Sequence, residues 1–179
     1  ASAASDVYKR QHLNSLTKWV QDQVDTKLNW DDVKRIKDWW GGKLIIKGIM
    51  DPDDAKMAQK CGADALVVSN HGGRQLDGVN SSISTLPEIK KAVSNMEVLM
   101  DGGISSGQDI LKAIAMGAEG VMIGRSFVYG LSAGGKEGVT KSLEILNKEL
   151  DMTMALCGRR DIKDVGRDII KDCPFFEKN

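Results

Sequence analysis

Lys43-Leu-Ile-Ile-Lys47-Gly48, then Asp51-Pro52, then Cys61-Gly62, then Ala65-Leu-Val-Val-Ser69 is the stretch that decides the fold. The two short apolar runs, bounded by glycine or polar residues, read as strands. The segment between them opens with Asp-Pro, a helix start, and closes at Gly62. Strand, helix and strand in so few residues make a βαβ unit, whose crossover is right-handed and whose strands are parallel.

Working outward, the unit repeats. Glu97–Asp101 reads as a third strand and Gly120–Gly124 as a fourth. Helices are expected from about Thr85 to Ser94, from about Ser106 to Met116 with a stop at Gly117, and from the fourth strand to about Leu156, with Gly134-Gly135 as a hinge or turn. Upstream, Leu13, Leu16, Val20 and Val24 recur at helical spacing, and a second helix starts after Asn29, an N-cap residue, and stops at Gly41-Gly42. Its expected face holds Val33, Ile36 and Trp40, and the four tryptophans read as helix packing or caps over a barrel edge. The strands are apolar without alternation, the pattern of strands buried on both faces. Met96, Met100, Met116 and Met122 follow the same faces and read as core. Four βα units are half of an eight-stranded TIM barrel, a fold of about 200–250 residues. The 179 residues here are too few for a whole one. The fold class is therefore α/β, a (β/α)8 barrel family covered in part, and the chain is expected to be a piece of a longer protein. An open half-barrel exposes two strand edges and an apolar interior, so self-association is expected too.

Composition narrows the function. The 25 Lys plus Arg balance 25 Asp plus Glu, which argues against a nucleic-acid surface or a polybasic membrane patch. No apolar run reaches the roughly 18–20 residues that span a bilayer, and no secretory signal is expected. Cys61, Cys157 and Cys173 lack metal-like spacing and read as reduced thiols, so a cytoplasmic protein is expected. Residues 1–11 fit no element and are left unassigned, residues 12–165 form the barrel half, and residues 166–179 are a tail.

The chemistry sits at the strand ends, where α/β folds keep it. Val67–Asp77 runs from strand into a loop holding His71, two glycines and Arg74. Histidine moves protons near neutral pH, and an arginine fork grips a carboxylate. Asp77 either pairs with Arg74 or caps a turn. Asp101-Gly-Gly-Ile-Ser-Ser-Gly107 and Gly124-Arg125 form a candidate phosphate cradle: glycines admit an anion to backbone N–H groups, the helix near Ser106 aims its positive end there, and Arg125 adds charge. Lys47 ends the first strand of the repeat and can form a Schiff base, hold an anion or stabilise charge on a cofactor ring.

Ser69-Asn-His-Gly-Gly-Arg-Gln-Leu-Asp77 closely resembles the signature of the FMN-dependent α-hydroxy acid dehydrogenases and oxidases. The likeness extends from about Leu16 to Val165, and Trp30–Pro52 with His71–Ser82 looks most like the quinone-linked L-lactate dehydrogenase branch. The resemblance implies a TIM barrel of which this chain holds the last four strands, the C-terminal half. It implies FMN as cofactor, with Lys47 at the flavin pyrimidine edge, Ser69 near the flavin, and Asp101, Gly102, Gly103, Gly124 and Arg125 around the ribityl chain and phosphate. It implies His71 as the active-site base and Arg74 as the group holding the substrate carboxylate. Ser105 stands where the family usually has an arginine, so a charge-assisted phosphate contact is replaced by a hydroxyl one.

The implied reaction oxidises an L-2-hydroxy acid, lactate first, to the 2-keto acid, with quinone, cytochrome or O2 as electron acceptor. The full-length protein is expected to be a homo-oligomer, cytoplasmic or peripheral at the inner membrane through its preceding half. The isolated chain is expected to bind FMN weakly and turn over little. Two other readings stand beside this one: a phosphate-binding aldolase or isomerase using Lys47 as reactive amine, and a non-catalytic half-barrel that assembles with a partner.

Overall fold

A computed structural model describes residues 18–19 and 27–170. The first expected helix falls mostly outside them, as do residues 1–11, Cys173 and the Pro-Phe-Phe tail. Five helices and four strands follow: α1 (Trp30–Trp40), β1 (Ile45–Ile49), α2 (Pro52–Lys60), β2 (Ala65–Val68), α3 (Ser82–Ala92), β3 (Glu97–Met100), α4 (Gly107–Ala115), β4 (Gly120–Val121) and α5 (Arg125–Leu156). The strands form one parallel sheet in the order β1-β2-β3-β4. Lys47, Val67, Leu99 and Gly120 stand side by side across it.

Local sequence sets the boundaries. Asn29 caps α1 by accepting the N–H groups of Asp31 and Asp32, while the Asp32 carboxylate accepts the N–H of Asn29, a reciprocal capping box. Asp51 caps α2, with Pro52 in the first turn. Helix α3 starts at Ser82, three residues before the expected Thr85. Pro87 thus lies inside the helix and removes one backbone donor. Helix α5 kinks at Gly134-Gly135, the expected hinge.

Leu66, Val68, Val98 and Met100 point from the sheet toward the helices, where Leu86, Ile89, Ala55, Ala58 and Ala113 meet them, all essentially without exposure. Each large apolar side chain so buried contributes about 1.5–3 kcal/mol. A second cluster joins Leu111 and Ala115 of α4 to Leu150 and Met154 of α5, and Val165, Ile169 and Ile170 complete it.

Three expectations need correction. Only β2 is buried along its whole length. Strands β1 and β4 are edges with one neighbour each, so Ile45 is 53% exposed and Met122, just past β4, is 43% exposed rather than core. An apolar run does not say which strand lies at an edge. The expected packing of the tryptophans holds for Trp30, which meets the core, but Trp39 is 77% exposed, with Arg35 over its ring, and Trp40 is exposed as well. Ile36 on the same helix is also exposed. Among the described residues no helix is long and apolar enough to cross a membrane.

Two contacts lock the layers. Gly107 lies so close to the Leu150 backbone that a Cβ would overlap it, and its N–H donates to the Glu149 carboxylate (2.9 Å). Gly107→Ala should therefore force α4 from α5 and lower stability by about 1–3 kcal/mol, measured by urea unfolding. At the other end of the sheet, Asp64 accepts Lys37, Lys43 (2.8 Å) and the Leu44 N–H (2.9 Å), tying α1 and β1 to β2. The Lys37 and Lys43 ammoniums and the Leu44 N–H hold its carboxyl well below the usual carboxylate range. A depressed pKa contributes stability above the unfolded carboxyl pKa, about 4, and that contribution fades as pH falls further. Asp64→Asn should melt below the parent at pH 7, and the gap should narrow steadily between pH 5 and pH 2.

Candidate active site

The C-terminal ends of the strands carry the expected groups. Lys47 is the third residue of β1, just before Gly48, where the pairing with β2 shifts register. Its Nζ lies 3.0 Å from Asp101 Oδ2 and donates to Ser69 Oγ at 3.1 Å. Three adjacent strand ends thus converge on one ammonium. Ser69 is buried, and its oxygen also accepts the His71 N–H (3.1 Å).

His71 takes a left-handed backbone, φ 55°, unusual for a residue with a Cβ, and begins the tight turn His71–Gly73. The turn leaves the His71 and Arg74 side chains exposed. Among the described residues no carboxylate pairs with Arg74. Asp77 caps a turn instead, accepting the Gly78 N–H at 2.9 Å. The guanidinium is thereby left available to a ligand, as a carboxylate clamp requires.

Beside this loop lies a cavity of about 480 Å³, bordered by Asn70, Gly102, Gly103, Asp109, Lys112 and Arg125. That volume suits a small-molecule site. Gly102 has φ 93°, and a Cβ there would stand 3.0 Å from Ser82 Oγ, so the β3 loop can pass only as glycine.

The start of α4, the expected helix-end anion site, already meets two of the protein's own carboxylates. Glu149 takes the Gly107 N–H in the first turn of α4, while just before the helix Asp109 Oδ2 takes the Ser105 N–H (3.1 Å), the Ser105 hydroxyl (3.2 Å) and the Ser106 hydroxyl (2.8 Å). Ser105 is therefore committed to Asp109. Burial pushes the Asp109 carboxyl up, but the hydrogen bonds from Ser106 and Ser105 outweigh it and hold it below the usual range. Helix α5 differs. Its N-cap is Gly124 and no side chain caps it, so its first turn, with Arg125 on the cavity, is open to an anion.

The donors and acceptors fit a flavin mononucleotide. Asp101 Oδ1 is buried with no hydrogen-bond partner, an acceptor poised for a ligand hydroxyl. Lys47 supplies a cation beside it, and the α5 end with Arg125 suits a phosphate. The residues that sequence reading passed over are Asn70, Ser82 and Asp109. Ser106-Gly-Gln-Asp109 is a capping-box pattern, and Asn70 before two glycines is an Asx-turn signal.

Comparison with known proteins agrees with the fold and with FMN as cofactor. The profile of the family described as FMN-dependent dehydrogenase matches residues 1–172. An L-lactate dehydrogenase of Caulobacter vibrioides is 47% identical over 165 residues, 92% of this chain and 43% of the relative. One from Actinobacillus pleuropneumoniae is 46% identical over 161 residues, 89% of this chain and 42% of the relative. A solved structure of mandelate oxidase with benzoyl-formic acid superposes with TM-score 0.75 at 42% identity, covering 77% of this chain and 42% of that one. A mutant mandelate oxidase solved with a monooxide FMN adduct superposes equally well. The chain thus spans less than half the length of these relatives, and the sheet is part of a TIM barrel.

Removing the α4 seal separates the two helix ends. Asp109→Ala should cost about 1 kcal/mol in stability by freeing the Ser105 N–H. It should also tighten inorganic phosphate binding in the cavity by removing a negative charge, as read by calorimetric titration.

Proposed function

This chain belongs to the FMN-dependent dehydrogenase family, and from that premise we propose that it carries the base, the carboxylate clamp and the phosphate end of an enzyme oxidising an L-2-hydroxy acid, L-lactate first, to the 2-keto acid. The observation that carries the proposal is the convergence of Lys47, Ser69 and Asp101 beneath the loop holding His71 and Arg74. FMN, when bound, accepts the two electrons that leave the substrate. Asp101 Oδ1, Lys47 and Ser69 would hold its ring and ribityl side, and Gly102, Gly103, Gly124 and Arg125 its phosphate side. Arg74 pairs with the substrate carboxylate through two parallel N–H bonds, which fixes the 2-carbon relative to His71. His71 takes the proton, from the hydroxyl or from the α-carbon. Lys47, held by Asp101, keeps a positive charge where negative charge develops.

The electron acceptor is a quinone, cytochrome or O2, with quinone preferred by likeness to the lactate dehydrogenase branch. An aldolase-type enzyme working through Lys47 is not favoured: a Schiff base needs a free amine, and this one is ion-paired with Asp101. The open β1 and β4 edges leave the strand-end site walled on one side, so the chain alone should bind FMN weakly and turn over little.

Two measurements test this. FMN and L-lactate are added to the purified chain and flavin absorbance is followed; bleaching at ordinary enzyme rates would show that a half-walled site suffices. In the FMN-loaded protein with its barrel closed, His71→Gln should abolish bleaching with FMN still bound, a loss of at least 100-fold. Arg74→Lys should raise KM and slow bleaching, because a lysine cannot pair bidentately. Unchanged KM and rate in Arg74→Lys would remove the carboxylate assignment.

A further inference from the structure

Asn70 stands between the end of β2 and the turn that carries His71 and Arg74. Its backbone N–H donates to Ser82 Oγ (3.3 Å), its Oδ1 accepts the Gly72 N–H (2.9 Å), and its Nδ2 donates to the Asn80 carbonyl (3.3 Å). One carboxamide therefore reaches both the first turn and the last residue of segment 71–80. The other hydrogen bonds of that segment among the described residues are local. Gly73 N–H reaches Asn70 O, Arg74 N–H reaches His71 O, Gly78 N–H reaches Asp77, and His71 N–H reaches Ser69. None of them joins the start of the segment to its end.

The segment needs such a tie. Its side chains from His71 to Asn80 are exposed, with Leu76 at 66%, so burial does not hold it down. It also contains three consecutive left-handed residues, His71, Gly72 and Gly73, and the first has a Cβ. A disfavoured conformation persists only where its surroundings over-determine it. The turn is held by the His71 N–H on Ser69, the Gly72 N–H on the Asn70 side chain, the Gly73 N–H on the Asn70 carbonyl and the Arg74 N–H on the His71 carbonyl, and of these acceptors the Asn70 side chain alone also reaches the end of the segment.

We infer that Asn70 is a positioning residue whose carboxamide closes segment 71–80 on itself and so fixes where His71 and Arg74 point. Asn70 acts through the loop and takes no proton. The consequence for turnover rests on the roles proposed for His71 and Arg74; the loop closure does not.

Arg74 supplies the reporter, because trypsin cuts after arginine only where the chain opens locally. The cleavage rate between Arg74 and Gln75 is measured by mass spectrometry in the parent, Asn70→Ala and Asn70→Asp, with cleavage after Lys112 inside α4 as the reference. Asn70→Ala should speed Arg74 cleavage about tenfold with Lys112 cleavage unchanged, the scale expected for losing hydrogen bonds. Asn70→Asp keeps the acceptor for Gly72 but loses the donor to Asn80 and should fall between the two. If Asn70→Ala cuts at the parent rate, or speeds both sites alike, the inference is overturned, and Asn70→Asp decides the case if the alanine variant does not fold.

A second arm uses the FMN-loaded protein with its barrel closed. With FMN saturating, Asn70→Ala should slow bleaching by L-lactate about tenfold and Asn70→Asp, which keeps the Gly72 contact, should recover part of the rate, whereas a merely structural role would leave the rate of the bound, folded fraction unchanged. Faster proteolysis with no bleaching even in the parent would sink the lactate reading and leave the loop closure standing. Normal bleaching and normal proteolysis in Asn70→Ala would sink the loop closure alone.

Discussion

One ammonium organises the strand ends. Lys47 on β1 is tied to Asp101 after β3 and to Ser69 after β2, and Ser69 in turn holds the backbone of His71. As a contribution to stability the pair is small, because Lys47 is about two-fifths exposed and such pairs give about 1 kcal/mol or less. The burial of Leu66, Val68, Val98 and Met100 decides whether the sheet forms. What the tie decides is position. It sets a cation, an unpartnered buried carboxylate oxygen and the root of the loop holding His71 side by side, at the edge where a parallel sheet offers its ligand site.

The charges around that point sort the two helix ends by task. Glu149 accepts the first N–H of α4 and Asp109 the N–H of Ser105 just before it, while Gly124 leaves the first turn of α5 uncapped beside Arg125. A helix N-terminus attracts anions only while its N–H groups are free. The α4 end is thereby engaged in packing against α5, through Gly107, and the proposed function gives the phosphate to the α5 end. Ser105 fits this division: its N–H and hydroxyl both face Asp109.

Much of this was legible in the sequence. Glycine and aspartate bounding short apolar runs gave the four βα units, and Asn29, Asp51 and Ser106 marked their helices through caps that act within three residues. The groups at the site were legible for the same reason, since the residues after an apolar run fall at the strand end. Long-range facts were not legible. Glu149 seals Gly107 from 42 positions away, and nothing local to either residue announces it. Edge strands read like central ones, so Ile45 and Met122 looked buried. Lys47 alone reads equally as a Schiff-base amine, an anion holder or a cation beside a cofactor ring, and its ion pair with Asp101 is a contact between distant residues. Asp109 and Asn70 were legible in principle, as a capping box and an Asx-turn, because both act on neighbours within ten residues.

The central claim is that one flavin and one carboxylate are shared out among these strand ends. A crystal structure of the protein with FMN and a 2-keto acid tests it most directly. The account predicts a ribityl hydroxyl on Asp101 Oδ1, Lys47 against the ring, the phosphate at the first turn of α5 with Arg125, and the acid's carboxylate on Arg74. A phosphate seated on the first turn of α4, or a carboxylate bound away from Arg74 with His71 turned from the substrate, would contradict it.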